Sequence, residues 1–156
     1  MFSPDSIIPA VSTDLIRAWE RSDRKIEDWT QDKARQALLR YQRFLMLVAA
    51  NPGIPHAPTR DIDEMWHLHM LAPKAYHEDC MRLFGEVLDH DGGFGKEENE
   101  KAELRVAFER TAQLWLEMYG EPYVTGSSDS MIDCWHDCQG RCWHACKSKA
   151  VDGMNG

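Results

Sequence analysis

Two stretches of the chain concentrate side chains that can bind ions or move protons. The first is Asp61-Ile62-Asp63-Glu64-Met65-Trp66-His67-Leu68-His69, followed by Tyr76, His77, Asp79 and Cys80, with His90 in a loop beyond. On a helix, residues four apart are surface neighbours, so Asp63 and His67 can grip one ion or each other. His77 repeats that relation with Cys80 or Met81. A carboxylate with several imidazoles suits a borderline or hard divalent ion such as zinc, iron or manganese. The candidate ligands are Asp63, His67, His69, Cys80 and His90. A plainer reading stays open beside this one. Asp63 and His67 can form an ordinary ion pair near a helix start, and His69 shares the apolar face of Ile62, Met65 and Trp66, where a core histidine bonds to a neighbour instead.

The second stretch is residues 134–146, CWHDCQGRCWHAC, in which Cys-Trp-His-x-Cys occurs twice around Gln139-Gly140-Arg141. Cys134, Cys138, Cys142 and Cys146 are evenly spaced. On a continuous helix each step of four residues turns the stripe by about 40°, and the four thiols spread over roughly 18 Å of rise. One tetrahedral ion with zinc–sulfur bonds of about 2.3 Å cannot reach them all. A thiolate site therefore requires either a fold back at Gly140, so that two Cys-x3-Cys arms face each other, or ligands from the helical domain or another chain. His136 and His144 point away from the cysteine stripe on a continuous helix and join a site only if it breaks. Soft thiolates select Cu(I), zinc or an iron–sulfur cluster. Disulfide staples or a metal-free redox tail are the alternatives.

The elements that must position these groups read at the helical period. A first helix is expected from Ser12 to about Asp28 and a second after Thr30, with Ala34, Ala37, Leu38, Tyr41, Leu45 and Val48 inward and Asn51-Pro52-Gly53 ending it. Thr59 or Asp61 caps a third, Asp61 and Glu64 having capping-box spacing. Pro73 suits the first turn of a fourth, over 73–84, which Gly85 ends. A fifth runs from about Lys96 to Tyr119, after the turn Asp91-Gly92-Gly93-Phe94-Gly95, with Leu104, Phe108, Trp115 and Met118 on one stripe. No window alternates apolar and polar residues, so no strand is expected. The predicted fold is all-α, a compact bundle of about five helices with a short Cys-rich C-terminal helical tail. Residues 1–120 form the helical domain, 121–130 a linker and 131–156 the tail.

Composition narrows the function. With 156 residues and a formal net charge of −8, the chain lacks the basic surface that replaces counterions around a nucleic acid. Its longest wholly apolar run, Phe44 to Ala50, is seven residues, whereas a membrane span takes roughly 20. The opening MFSPDSIIPA carries neither a basic start nor a long apolar stretch, so a cytoplasmic location is expected. In that reducing compartment clustered cysteines are metal ligands or redox thiols before they are disulfides. No Ser-His-Asp order, phosphate loop or nucleotide fingerprint is present; Gly92-Gly93-x-Gly95 follows no strand.

The run Asp63-x-x-Trp66-His67-x-His69-x-x-x-Pro73-x-x-Tyr76-x-x-Asp79-Cys80-x-x-x-Phe84-Gly85 resembles the core signature of the glycine-rich domain-containing protein-like family, in the bacterial type that ends in a cysteine-rich tail. The resemblance covers about residues 59–90, with weaker similarity in the flanking helices. It implies a helical domain and brings no established catalytic residues; this tail keeps the cysteines but has few glycines among them. The expected function is transition-metal binding, of zinc, iron or copper, by a His/Asp site in the core and a thiol-rich tail. Two other readings use the same residues: a metal-dependent enzyme of unknown substrate, and an interaction module or carrier of a modifiable Cys-rich peptide, with a protein partner or a second copy engaged through the tail.

Overall fold

The side chain of Thr30 accepts a hydrogen bond from the backbone N–H of Lys33 at 3.2 Å, satisfying one of the unpaired donors that every helix start presents. Helix α2, Gln31–Ala50, follows from it. The computed structural model describes residues 9–23, 29–91, 97–124 and 145–147. Before α2 lies the shorter α1, Leu15–Arg21, capped by Asp14, whose carboxylate accepts from the Arg17 N–H at 3.0 Å. The expected first helix is thus three residues late at its start and stops at Ser22; Ser12 is bonded elsewhere, and residues 24–28 lie outside the described residues.

Helix α3, Arg60–Met70, begins one residue before Asp61. Asp61 therefore sits inside the first turn rather than at the cap, where its charge still favours the helix N-terminus. Arg40 Nε of α2 donates to its carboxylate at 2.6 Å, tying the two helices together. Helix α4 spans Pro73–Phe84 as the proline and glycine signals predict, and Gly85 takes φ 72°, the left-handed conformation that ends helices without a Cβ penalty.

A final helix, α5, Glu98–Tyr119, opens on a reciprocal capping box between Glu97 and Glu100 and ends at Gly120. Five helices and an all-α class match the sequence reading. The departure is a pair of three-residue strands, β1 (Asp89–Asp91) and β2 (Ala145–Lys147), joined antiparallel. Three residues are too few for alternation to register, and β2 falls where a helical tail was expected. Among the described residues no helix is long and apolar enough to cross a membrane.

The chain divides into two compact units. The first lies within Met1–Ala49 and Asp61–Val87 and holds α1, α4 and nearly all of α2 and α3. Its centre is aromatic: Phe44 and Trp66 rings meet at 5.7 Å, and Trp66 Nε1 donates to the Tyr76 hydroxyl at 2.9 Å, which removes the cost of burying an indole N–H. The second lies within Ala50–Arg60 and Leu88–Gly156. There Tyr123 stacks near Phe108 and Trp115, at 5.5 and 5.0 Å, and its hydroxyl donates to the Ala57 carbonyl at 2.8 Å while accepting from the Thr59 N–H at 3.2 Å. The Ala57 N–H is taken by Thr111 Oγ1 at 3.0 Å. The loop after α2 is thereby fixed to α5 through its backbone, as buried backbone groups require.

Candidate functional site

Helix α3 carries the acid–imidazole pair that the spacing predicts. Asp63 is 2% exposed, and His67 Nε2 stands 3.6 Å from its Oδ2 with the imidazole 30% exposed. That separation is longer than a good hydrogen bond. It is the separation of two ligands on one ion, since donors about 2.0–2.1 Å from a tetrahedral metal lie roughly 3.4 Å apart. The pair thus forms a His/Asp group able to hold a metal ion, and among the described residues neither His69 nor Cys80 belongs to it.

The other candidates are placed differently. Cys80 is buried on α4. His90 is half-buried in β1. Cys146 lies in β2, paired in register with His90. Cys134, Cys138 and Cys142 lie outside the described residues.

His69 points inward, 1% exposed, and both of its ring nitrogens are engaged. Nε2 is 2.8 Å from Asp79 Oδ2, and Nδ1 is 2.7 Å from the Tyr41 hydroxyl. A carboxylate only accepts, so Nε2 carries the proton and donates to Asp79; Nδ1 then accepts from Tyr41. In this arrangement neither nitrogen offers a lone pair to an ion, and His69 is the centre of a core network. The network continues outward. Asp79 Oδ2 accepts from the Ser12 N–H at 2.9 Å, and Oδ1 from Arg82 at 2.9 Å. Arg82 in turn donates to the Ala10 carbonyl at 2.6 Å. The sequence marks Tyr41 only as an inward residue of its helix and Ser12 only as a helix start, and it does not mark Arg82; none of the three is legible there as a partner of His69 or Asp79.

The electrostatics follow from burial. Desolvation pushes His69 below its ordinary 6.5, although the Asp79 carboxylate pulls it upward. Burial alone would raise Asp79, but its hydrogen bonds from Ser12, Arg82 and His69 outweigh that and hold it below the ordinary carboxylate value. In the second unit His56, 1% exposed, is also lowered by burial, with Arg110 adding to the effect and the bond to the Asn51 carbonyl opposing it.

A pH dependence is expected from these directions. Both histidines bind a proton less readily when folded than when unfolded, so the unfolded state takes up more protons as pH falls below about 6.5 and stability falls as pH drops through that value. Asp79 adds a second loss as pH falls below 3.8, toward its depressed folded pKa. Thermal melts between neutral and acid pH should show a decline beginning near pH 6.5; a melting temperature flat down to pH 4.5 would contradict it.

These residues lie in a segment with known relatives. The family model described as Glycine-rich domain-containing protein-like matches residues 12–79, a stretch whose first and last residues are the hydrogen-bonded Ser12 and Asp79. Glycine-rich domain-containing protein 1 of Arabidopsis thaliana is 34% identical over 92 residues, covering 56% of this chain and 11% of that protein. Glycine-rich domain-containing protein 2 of the same plant is 33% identical over 92 residues, covering 56% of this chain and 12% of that protein. The chain thus spans about a tenth of the length of these relatives. No solved structure matches it significantly. The likeness to the glycine-rich domain-containing protein-like family thus lies in the helical segment 12–79, with the buried His69 network inside it.

Proposed function

We propose that this is a transition-metal-binding protein in which Asp63 and His67 of α3 hold one divalent ion. The observation that carries the reading is the Asp63–His67 pair: a buried carboxylate and a partly open imidazole at ligand-to-ligand spacing, 3.6 Å. An imidazole beside a carboxylate favours zinc or iron over magnesium or calcium, which prefer oxygen throughout. Of the readings given for the cysteine tail, soft-metal binding fits this one best, because both act on transition-metal ions.

Elemental analysis of protein purified without oxygen or chelator tests this directly. About one equivalent of zinc, iron or copper per chain is expected, and His67→Ala should weaken binding by more than about 100-fold, beyond the upper end of what losing a partner outside the coordination sphere costs. Protein that is folded, metal-free and indifferent to added Zn(II), Fe(II) or Cu(I) would overturn the proposal.

A further inference from the structure

Residues 9–12 precede α1 outside any regular element, yet side chains of α2 and α4 grip their backbone. Gln42 Nε2 donates to the Pro9 carbonyl at 3.1 Å, and Arg82 donates to the Ala10 carbonyl at 2.6 Å. The Ser12 N–H donates to Asp79 Oδ2 at 2.9 Å. Pro9 is buried, whereas Ala10 and Ser12 are exposed. Hydrogen bonds near solvent exchange for bonds to water at little net cost, and a segment with few buried apolar contacts opens more readily than the core. What lies beneath it is enclosed. Asp79 Oδ2 accepts from both the Ser12 N–H and His69 Nε2, the latter at 2.8 Å, in a carboxylate 2% exposed beside an imidazole 1% exposed. Two donors converge on one oxygen, so the backbone of Ser12 forms one wall around the pair.

We infer that residues 9–12 are a latch: the segment opens as a unit while the helices stay folded, and its opening admits water to the His69–Asp79 pair. Opening strands no buried group. The Pro9 and Ala10 carbonyls, the Ser12 N–H and the Gln42 amide turn to water, and Arg82 is already 48% exposed. Asp79 exchanges the Ser12 N–H for water and keeps its bonds from His69 and Arg82. The tie between α3 and α4 thus survives in a wetter form. A hydrogen bond to a charged group weakens as the local dielectric rises, so the latch sets the strength of that tie: strong when closed, weaker when open.

Hydrogen exchange of the full chain, followed by nuclear magnetic resonance over a series of low urea concentrations, tests this. The Ser12 amide and the His69 Nε2–H should exchange through one opening that hardly responds to urea, because so short a segment exposes little new surface. The Phe44 and Leu45 amides of α2 should instead carry the full urea slope of global unfolding. Gln42→Ala touches neither member of the pair and removes one grip on the latch; it should speed both the Ser12 amide and the His69 Nε2–H by about fivefold, the factor for one net hydrogen bond. A Ser12 amide with the urea slope of the α2 amides means no opening short of unfolding and overturns the latch. A urea-insensitive Ser12 amide that ignores Gln42→Ala overturns it as well, since the amide then exchanges without release of the grip. A His69 Nε2–H that keeps the α2 slope while Ser12 does not overturns the entry of water to the pair.

Discussion

Asp79→Ala lowers the melting temperature of the protein by about 6–20 °C. The figure follows from the three hydrogen bonds that this carboxylate accepts, from Ser12 N–H, His69 Nε2–H and Arg82. Removing one partner of a buried, hydrogen-bonded ionic group costs about 3–5 kcal/mol, and each kcal/mol moves the midpoint of a chain of this length by roughly 2–4 °C. The loss is concentrated in two orphaned donors, the Ser12 N–H and the His69 Nε2–H, since Arg82 is 48% exposed and turns to water. Two graded controls follow. Asp79→Asn costs markedly less, because its amide oxygen still accepts from Ser12 and His69. Arg82→Ala costs no more than about 1 kcal/mol, as expected of a half-exposed ion pair. Calorimetry or circular dichroism melts of the three variants would refute the network's role if Asp79→Ala shifted the midpoint by no more than Arg82→Ala does.

The contrast between Asp63 and Asp79 shows what the sequence could reveal. Asp63 and His67 were legible as a pair because helix geometry alone brings residues four apart together, and the helix was announced by its apolar face. Asp79 was not legible as the anchor of the core, because its partners come from an N-terminal segment 67 residues away and from the preceding helix. Only the packed fold joins them. The same distinction separates α4 from the strands. Pro73 and Gly85 are local signals with local consequences, so the helix between them was predicted to its ends. The β1–β2 ladder depends on a pairing across more than fifty residues in segments three residues long, and nothing within either segment encodes it. His69 lies between these cases: its inward face followed from spacing, but the Tyr41 and Asp79 bonds that occupy both nitrogens came only with the tertiary structure.

Asp63→Asn separates a residue kept for folding from one kept for an ion. An asparagine preserves the shape of the buried side chain but is a poor ligand for a transition metal. Asp63 is 2% exposed, and burying a carboxylate carries a desolvation penalty that its neutral, isosteric amide largely avoids. The metal-free variant should therefore melt at or above the metal-free wild type. With zinc at a thousand times the dissociation constant, the wild type gains about 4 kcal/mol, a rise of roughly 8–16 °C in a chain of this length, and the variant gains almost none. Melting curves of both proteins with chelator and with zinc decide the matter. A metal-free variant that melts well below wild type, with no zinc-dependent rise in either, would assign Asp63 to the fold and His67 to an ordinary ion pair. The expected pattern is the reverse: a side chain whose burial costs stability in the absence of the ion and whose charge gains its purpose when the ion binds.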